Sequence, residues 1–298
     1  SATLPRPGER VAVRVLTIVV LLVAAALAGC GDRQPEHTLD KRWGGAFPLP
    51  REGIQLPAPR GVYAGATGQV YVLDDIGRLL IYNDQGELLR KWFMPETDIG
   101  RPEGVLELPD GRIVVADTHY SRLVFFDQQG EVLNMFGEMG DAPGQFIYPV
   151  ALTVDDAGNL YVVEYGSNDR VTKLSPELEV LAVFGSFGTE AGAFQRPSGI
   201  AWHEGKLYIA DAINNRVQVF ADDGTFEGVL GGVGTGPELE FPYDLSVGPD
   251  GLLYVVEYKA GRVTALSPDG KVTGRLGVTG RGEGQFATPW CLTVDGRG

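Results

Sequence analysis

The sequence predicts an all-β chain, a six-bladed β-propeller of four-stranded antiparallel blades, on three observations. Pro59, Pro102, Pro149, Pro197, Pro242 and Pro289 recur at spacings of 43, 47, 48, 45 and 47 residues, which marks a repeat architecture. Within each unit the same order returns: an apolar run, a Gly-containing turn, a run ending in an acid, a loop to an arginine, a third run and a fourth. Composition agrees, since 42 Gly and 24 Tyr plus Phe against three Met favour strands and turns over helices. Stacked helical repeats would need an apolar period of roughly 3.6 residues, which is absent.

The chain opens with Arg6, Arg10 and Arg14, an apolar stretch of 13 residues from Val15 to Leu27, and then Leu27-Ala28-Gly29-Cys30. As a helix that stretch reaches about 20 Å, short of the roughly 30 Å hydrocarbon core, so a secretory leader is expected rather than a membrane span. Its last four residues resemble the bacterial lipobox, in which cleavage before the cysteine follows attachment of a diacylglycerol to its thiol. An ordinary leader cut after a small residue is the alternative. Residues 1–29 are therefore expected to be a lipoprotein signal peptide, and residues 30–38 the lipidated Cys30 and a polar tether. The implied location is the bacterial cell envelope, with the protein lipid-anchored to the membrane and facing the periplasm or the exterior. Gly31, where Asp would suggest inner-membrane retention, favours the outer membrane.

Formal charge is −14 over 298 residues, and removing residues 1–29, with three Arg and one Glu, takes it to −16. A phosphate-tracking surface needs clustered positive charge, so nucleic acid is not an expected partner. Two cysteines, Cys30 and Cys291, exclude a disulfide scaffold and a Cys-rich zinc module.

Residues 39–298 are predicted as the propeller. The second runs are Val70–Asp74, Ile113–Asp117, Leu160–Glu164, Leu207–Asp211 and Leu253–Glu257, short, β-branched and aromatic. Third runs begin at Arg78, Arg122, Arg170, Arg216 and Arg262, and fourth runs end in Phe136-Gly137, Phe184-Gly185 and Leu276-Gly277. Blades around an axis bury both sheet faces, so these runs need not alternate with polar residues. The units resemble NHL repeats. Pro197-Ser198-Gly199-Ile200-Ala201, Leu207-Tyr208-Ile209-Ala210-Asp211 and Asn214-Asn215-Arg216-Val217-Gln218-Val219-Phe220 match that pattern nearly throughout, as does Asp155-Asp156-Ala157-Gly158-Asn159-Leu160-Tyr161-Val162. The resemblance covers roughly residues 59–295 and speaks for a fold, not for an activity.

Leu39 to Gly45 reads as a fourth strand with no strands before it, so it is expected to complete the last blade, whose first strand is Trp290 to Val294. Asp295 aligns with Asp155, 19 residues before Leu174. Completing that blade is therefore expected to take the chain to about position 314, some 16 residues past Gly298, with two strands of the sixth blade still to come.

Function in propellers usually sits on the loops around one mouth of the channel. Residues after the repeat prolines, Arg60, Glu103, Ser198, Tyr243 and Trp290, are candidates for ligand binding there, with Asp244 where the repeat expects Gly. Tyr120, Tyr165 and Tyr258, with Tyr148, add loop aromatics, the residue type favoured at binding surfaces. Glu103 and Asp244 face each other across a six-bladed ring and suggest an oxygen-lined divalent-cation site; solvated loop charges beside Arg60 are the plainer account. The acid–arginine pairs Asp74/Arg78, Asp117/Arg122, Glu164/Arg170, Asp211/Arg216 and Glu257/Arg262 recur five times, which points to structure: a catalytic centre is normally single. His37, His119 and His203 fall in a tether, an upper loop and a turn on the opposite face, so they cannot share one zinc. This counts against resemblance to the peptidyl-hydroxyglycine amidating lyase, and no Ser-His-Asp arrangement can be placed. Cys291 on an inner strand reads as a buried, unreactive thiol.

These residues favour a non-enzymatic, lipid-anchored scaffold that presents its upper loops to a protein, peptide or glycan, without a cofactor. The alternative is a metal-dependent hydrolase resembling the gluconolactonase and regucalcin propellers, with a divalent cation held by Glu103 and Asp244. RNA binding, as in some animal NHL domains, ranks last on charge.

Overall fold

The computed structural model describes residues 18–22, 58–232, 236–282 and 284–295. The expected strand at Leu39 to Gly45, His37, the lipobox and the tether all lie outside them.

Five complete blades follow one another, each a four-stranded antiparallel sheet in simple sequence order. Blade one is β2 (Pro59–Ala64), β3 (Val70–Asp74), β4 (Arg78–Tyr82) and β5 (Leu88–Phe93). Blade two is β6 (Gly104–Glu107), β7 (Ile113–Asp117), β8 (Arg122–Phe126) and β9 (Val132–Phe136). Blade three is β10 (Pro149–Val154), β11 (Leu160–Glu164), β12 (Arg170–Leu174) and β13 (Val180–Phe184). Blade four is β14 (Pro197–His203), β15 (Lys206–Asp211), β16 (Arg216–Ala221) and β17 (Phe226–Leu230). Blade five is β18 (Pro242–Val247), β19 (Leu253–Glu257), β20 (Arg262–Leu266) and β21 (Val272–Leu276). The sixth position is held by β24 (Pro289–Val294), which lies between β18 and β2.

β24 does not stand alone. Ile18–Leu22, here β1, pairs with it antiparallel, from Ile18 opposite Val294 to Leu22 opposite Pro289. The fourth strand expected at 39–45 lies outside the described residues; among these, β1 takes the place beside β24 that a second strand holds in the other blades. An inner strand with one open edge leaves a row of amides and carbonyls unpaired, and β1 covers it while residues 18–22 remain on the chain.

Second strands are the most enclosed, with every residue of β3, β7, β11 and β19 buried, whereas β9 is exposed along most of its length. Among the described residues six apolar clusters fall one at each blade junction. Tyr71 and Trp92 meet Val115 and Phe126 between blades one and two, for example. Val62, Val72 and Tyr82 meet Cys291 at the closing junction of blades six and one. Where inner strands crowd the axis, space is short: a Cβ on Gly104 would lie 2.6 Å from the Val150 carbonyl oxygen, and one on Gly61 would lie 2.3 Å from that of Glu103.

The loops that leave fourth strands fold back on themselves. Gly137, Gly185 and Gly277 take φ of 99°, 89° and 88°, and a Cβ on them would strike Phe146, Phe194 and Phe286 at 2.4–2.5 Å. Only glycine turns the chain there. In the last of these loops β22 (Val278–Thr279) pairs in parallel with β23 (Gln285–Phe286), and Met139–Phe146 and Phe187–Phe194 form the matching bridges earlier.

Candidate functional site

Because strands alternate in direction, the loops from strand four to strand one and from strand two to strand three lie on one face, here the upper face. In blades three, four and five the acid that ends the second strand holds both loops. Glu164 accepts from Ile147 N at 2.8 Å, Asn168 Nδ2 at 2.8 Å and Arg170 Nε at 2.6 Å. Asp211 accepts from Gln195 N at 2.7 Å, Asn214 Nδ2 at 2.9 Å and Arg216 Nε at 2.7 Å. Glu257 accepts from Glu240 N and Arg262 Nε, both at 2.7 Å. Asp74 meets Arg78 at 2.6 Å and Asp117 meets Arg122 at 2.9 Å. The guanidinia reach on into the loop before their blade: Arg170 donates to the carbonyls of Asp141 and Gln145, and Arg216 to those of Glu190 and Ala193. In blades three, four and five each pair is thus a clamp of charge-assisted bonds that fixes where an upper loop enters its blade, whereas Asp74 binds its own following loop, at Ile76 N and Arg78 N. Blade two is the exception, since Asp117 Oδ1 is buried without a hydrogen-bond partner among the described residues. Burial, the largest influence, pushes the Asp117 carboxyl upward against Arg122.

Around the mouth the clamps present an arc of aromatic and cationic side chains drawn from all six blades. Arg60 of blade one lies over Trp290 of β24, 4.8 Å from the ring centroid. Trp290 packs on Tyr243 of blade five at 4.5 Å, and Tyr243 accepts a hydrogen bond from Arg196 Nη2 at 3.2 Å. Arg196 in turn lies 4.7 Å over Tyr165 of blade three. Tyr165 packs on Tyr148, and Tyr148 on His119 of blade two, each at 5.6 Å. Glu103 Oε1 sits 4.0 Å from Arg60 Nη1. Burial, the dominant cause, raises its carboxyl above the usual range, opposed by Arg60, Arg196 and His119.

A bulge aims several of these groups. Register slips between Pro59 and Gly61, Pro149 and Ala151, Pro197 and Gly199, and Pro242 and Asp244. The residue after the proline, Arg60, Val150, Ser198 or Tyr243, is therefore turned out of the ladder toward the mouth. Beneath lies a cavity of about 60 Å³ lined by Arg60, Glu103, Ser198, Tyr243, Asp244 and Trp290 among others. It leads to a wider channel of about 500 Å³ whose wall includes Tyr63, Leu152, Trp202, Ser246 and Thr293.

Asp244 is a staple in the wall between the two spaces. Its Oδ1 accepts from Leu245 N and its Oδ2 from Leu292 N of β24, both at 2.8 Å, which ties blade five to the sixth inner strand. Burial raises its carboxyl to about 7 in spite of these bonds. Both oxygens being occupied by amides, Asp244 offers little to a cation. Among the described residues no group of three or more His, Cys, Asp or Glu is placed to hold one. The Cys291 thiol is buried and pushed well up, first by burial and then by Asp244 and Glu103; it is a packing residue.

Of the residues singled out from sequence, Arg60, Glu103, Ser198, Tyr243, Asp244 and Trp290 line the same cavity. Tyr165 belongs to the arc, and Tyr258 packs beside it on Trp290 and Tyr243. Tyr120 does not join them. Its hydroxyl accepts from Asp98 N at 2.9 Å and Ile99 N at 3.3 Å, with Arg122 over its ring, so it pins a loop. Ser198 spends its hydroxyl hydrogen on the Tyr243 carbonyl at 2.7 Å. Tyr148, read from sequence as an upper-face aromatic, joins the arc; His119 was placed on an upper loop without a binding role, and Arg196 was missed. Tyr148 and Arg196, like Phe241, directly precede a repeat proline and take φ of 49°, 58° and 58°. A bulky residue before the prolines of blades three, four and five is the signal that was there to read.

Comparison with known proteins agrees with this architecture. A family model described as "6-bladed beta-propeller" matches residues 188–259. The chain is 28% identical over 211 residues to mouse NHL repeat-containing protein 3, covering 61% of this chain and 59% of that protein. It is 29% identical over 185 residues to the human protein of the same name, covering 54% and 49%. The chain thus spans about half to three-fifths of the length of these relatives. A protein of unknown function from Bacteroides caccae has a similar fold, with a TM-score of 0.62 and 18% identity over 80% of this chain and 87% of that one. Repeat motifs, strand order and these likenesses together support an NHL-repeat β-propeller.

Proposed function

We propose that this propeller is a binding scaffold that engages its partner through the upper face, held at a bacterial cell envelope by a lipid on Cys30, a maturation that removes β1 from the edge of β24. The supporting observation is the arc Arg60–Trp290–Tyr243–Arg196–Tyr165–Tyr148. Aromatic and arginine side chains dominate the energetics of protein interfaces, and here five separate blades aim them at one mouth.

The exposed apolar side chains support the same face. Ile76, Ile99, Met139, Phe187 and Ile213 all lie on upper loops, and the remaining exposed large apolar residues lie on outer strands. Among the described residues none occupies a lower turn. Apolar side chains left in water on one face mark it for contact.

The test compares proteins captured from the envelope fraction by the wild-type chain, by the upper-face variant Tyr165→Ala/Trp290→Ala, and by the lower-face variant Lys271→Ala. Loss of a captured partner in the first variant alone is expected; equal capture by all three overturns the reading. Lipid anchoring is tested separately, by incorporation of a labelled fatty acid that Cys30→Ser abolishes.

A further inference from the structure

The arginines of the upper face fall into two kinds. The clamp arginines each meet a carboxylate at 2.6–2.9 Å. Arg60 stops 4.0 Å from Glu103, and Arg196 gives Nη2 to a tyrosine hydroxyl. The Nε of both is buried with no hydrogen-bond partner among the described residues. Aromatic rings hold the two guanidinia in place, but a ring face cannot accept an in-plane Nε hydrogen. Shielded cationic donors without an acceptor are costly. They are also unexpected in a chain with a net charge of −14, where carboxylates are plentiful.

We propose that the mouth receives one carboxylate from a peptide segment of a protein partner, bound by Arg60 and Arg196. Placement supports this. Arg60, Tyr243 and Trp290 line the cavity under the mouth, and Arg196 joins its edge through the Tyr243 hydroxyl, so both guanidinia flank one opening. The raised carboxyl of Glu103 makes it a weak competitor for the guanidinia. The surrounding loops supply the rest of the specificity. Glu96, Asp98, Glu138, Asp141, Glu190 and Glu240 stand exposed on the loops that enter the blades, so the mouth is a cationic centre inside an acidic rim. A polyacidic segment meets repulsion there, whereas a single carboxylate flanked by basic and apolar residues meets complementary charge and Ile99, Met139 and Phe187. The apolar loops favour peptide over glycan.

This inference rests on the upper-face reading, and its test keeps the two apart. A displayed library of random 12-residue peptides is selected on the full chain, and the selected peptides are synthesised with their acidic residue intact, replaced by its amide, or with an amidated C-terminus. The expected result is a selected class with one acid among basic and apolar residues. Loss of its charge should weaken binding at least about tenfold, the scale of a charge-assisted pair. Amidating the C-terminus separates a terminal from a side-chain carboxylate. Arg60→Gln and Arg196→Gln should each weaken binding similarly and abolish the difference between acid and amide peptides. The peptide series on the wild-type chain gives the same information should a variant fail to fold. Peptides that bind without an acid, or no selection at all, overturn the carboxylate. So does binding confined to phosphopeptides, or to acidic sugars on a parallel glycan array. Peptides that bind equally to Tyr165→Ala/Trp290→Ala overturn the upper-face reading itself.

Discussion

Arg196, the last residue before blade four, lays its guanidinium 4.7 Å from the ring centroid of Tyr165 in blade three. The same guanidinium hydrogen-bonds Tyr243 of blade five, so one side chain spans three blades. Its backbone is bent to do so, with φ of 58°, held by a 2.7 Å bond from Arg196 N to Asp169 Oδ1. Arg196→Ala is expected to cost about 1–2 kcal/mol through loss of the cation–π contacts. Arg196→Gly should be the more stable of the two, because a left-handed conformation costs a residue with a Cβ about 1–2 kcal/mol. Urea denaturation of both variants checks the order; alanine equal to glycine would mean that the backbone there is unstrained.

Asp244 makes stability depend on pH. Its carboxyl is raised from 3.8 to about 7, so between those values the folded chain keeps a proton that the unfolded chain has lost. The contribution of this residue therefore falls as pH rises through that window and levels off above it. Asp244→Asn cannot lose the proton. Raising pH from 4 to 8 should lower the urea midpoint of the wild type relative to that of the variant, and parallel curves would remove Asp244 as the cause.

The clamp at Asp211 binds four donor residues, as does that at Glu164. Asp211→Ala strands the partly buried Arg216 along with the Gln195 amide and the Asn214 and Gln218 side chains. A loss of about 3–5 kcal/mol is expected, as for other broken buried ion pairs. Proteolysis should then begin in the loop of residues 185–196. First cleavage elsewhere would show that the clamp does not hold that loop.

At the axis, Gly104→Ala places a methyl group 2.6 Å from the Val150 carbonyl oxygen. Backbone cannot step aside as a side chain does, so blades two and three must separate, at about 1–3 kcal/mol. Gly111→Ala, which meets nothing within 4 Å at φ of 86°, is the control for conformational cost alone. A Gly104 variant no worse than that control would mean that the ring absorbs the methyl.

The edge of β24 offers a fifth measurement. A chain that begins at residue 31 lacks β1, and amide exchange in Cys291 to Val294 should quicken while β18 stays protected. Unchanged exchange would mean that another strand covers the edge.

The blades were legible because each repeat solves the same burial problem. A second strand such as Leu160–Glu164 must be apolar throughout and end in an acid to hold its loop, and five copies make the pattern unmistakable. The mouth was only half legible, for the opposite reason. Its groups come from different blades and differ in kind, so no repetition betrays them. Arg60, Tyr243 and Trp290 could be read from their place after a proline. Tyr148 could be read as a loop aromatic, whereas Arg196 sits before a proline in a backbone conformation that nothing in its residue type announces. Asp244 was noticeable as a departure from glycine, but its bond to Leu292 joins positions 48 residues apart. Tyr120 shows the converse: the same residue type in a neighbouring loop spends its hydroxyl on holding backbone.

The loop clamps separate what the mouth contacts from what the core requires. Tyr148, Tyr165 and Arg196 sit on loops gripped by the buried acids of blades three and four, so exchanging Tyr165 leaves the strands beneath it intact. The rings and guanidinia of the arc touch one another from blade to blade, so a change at one position moves its neighbours, and the face is rewritten a phrase at a time, not a letter.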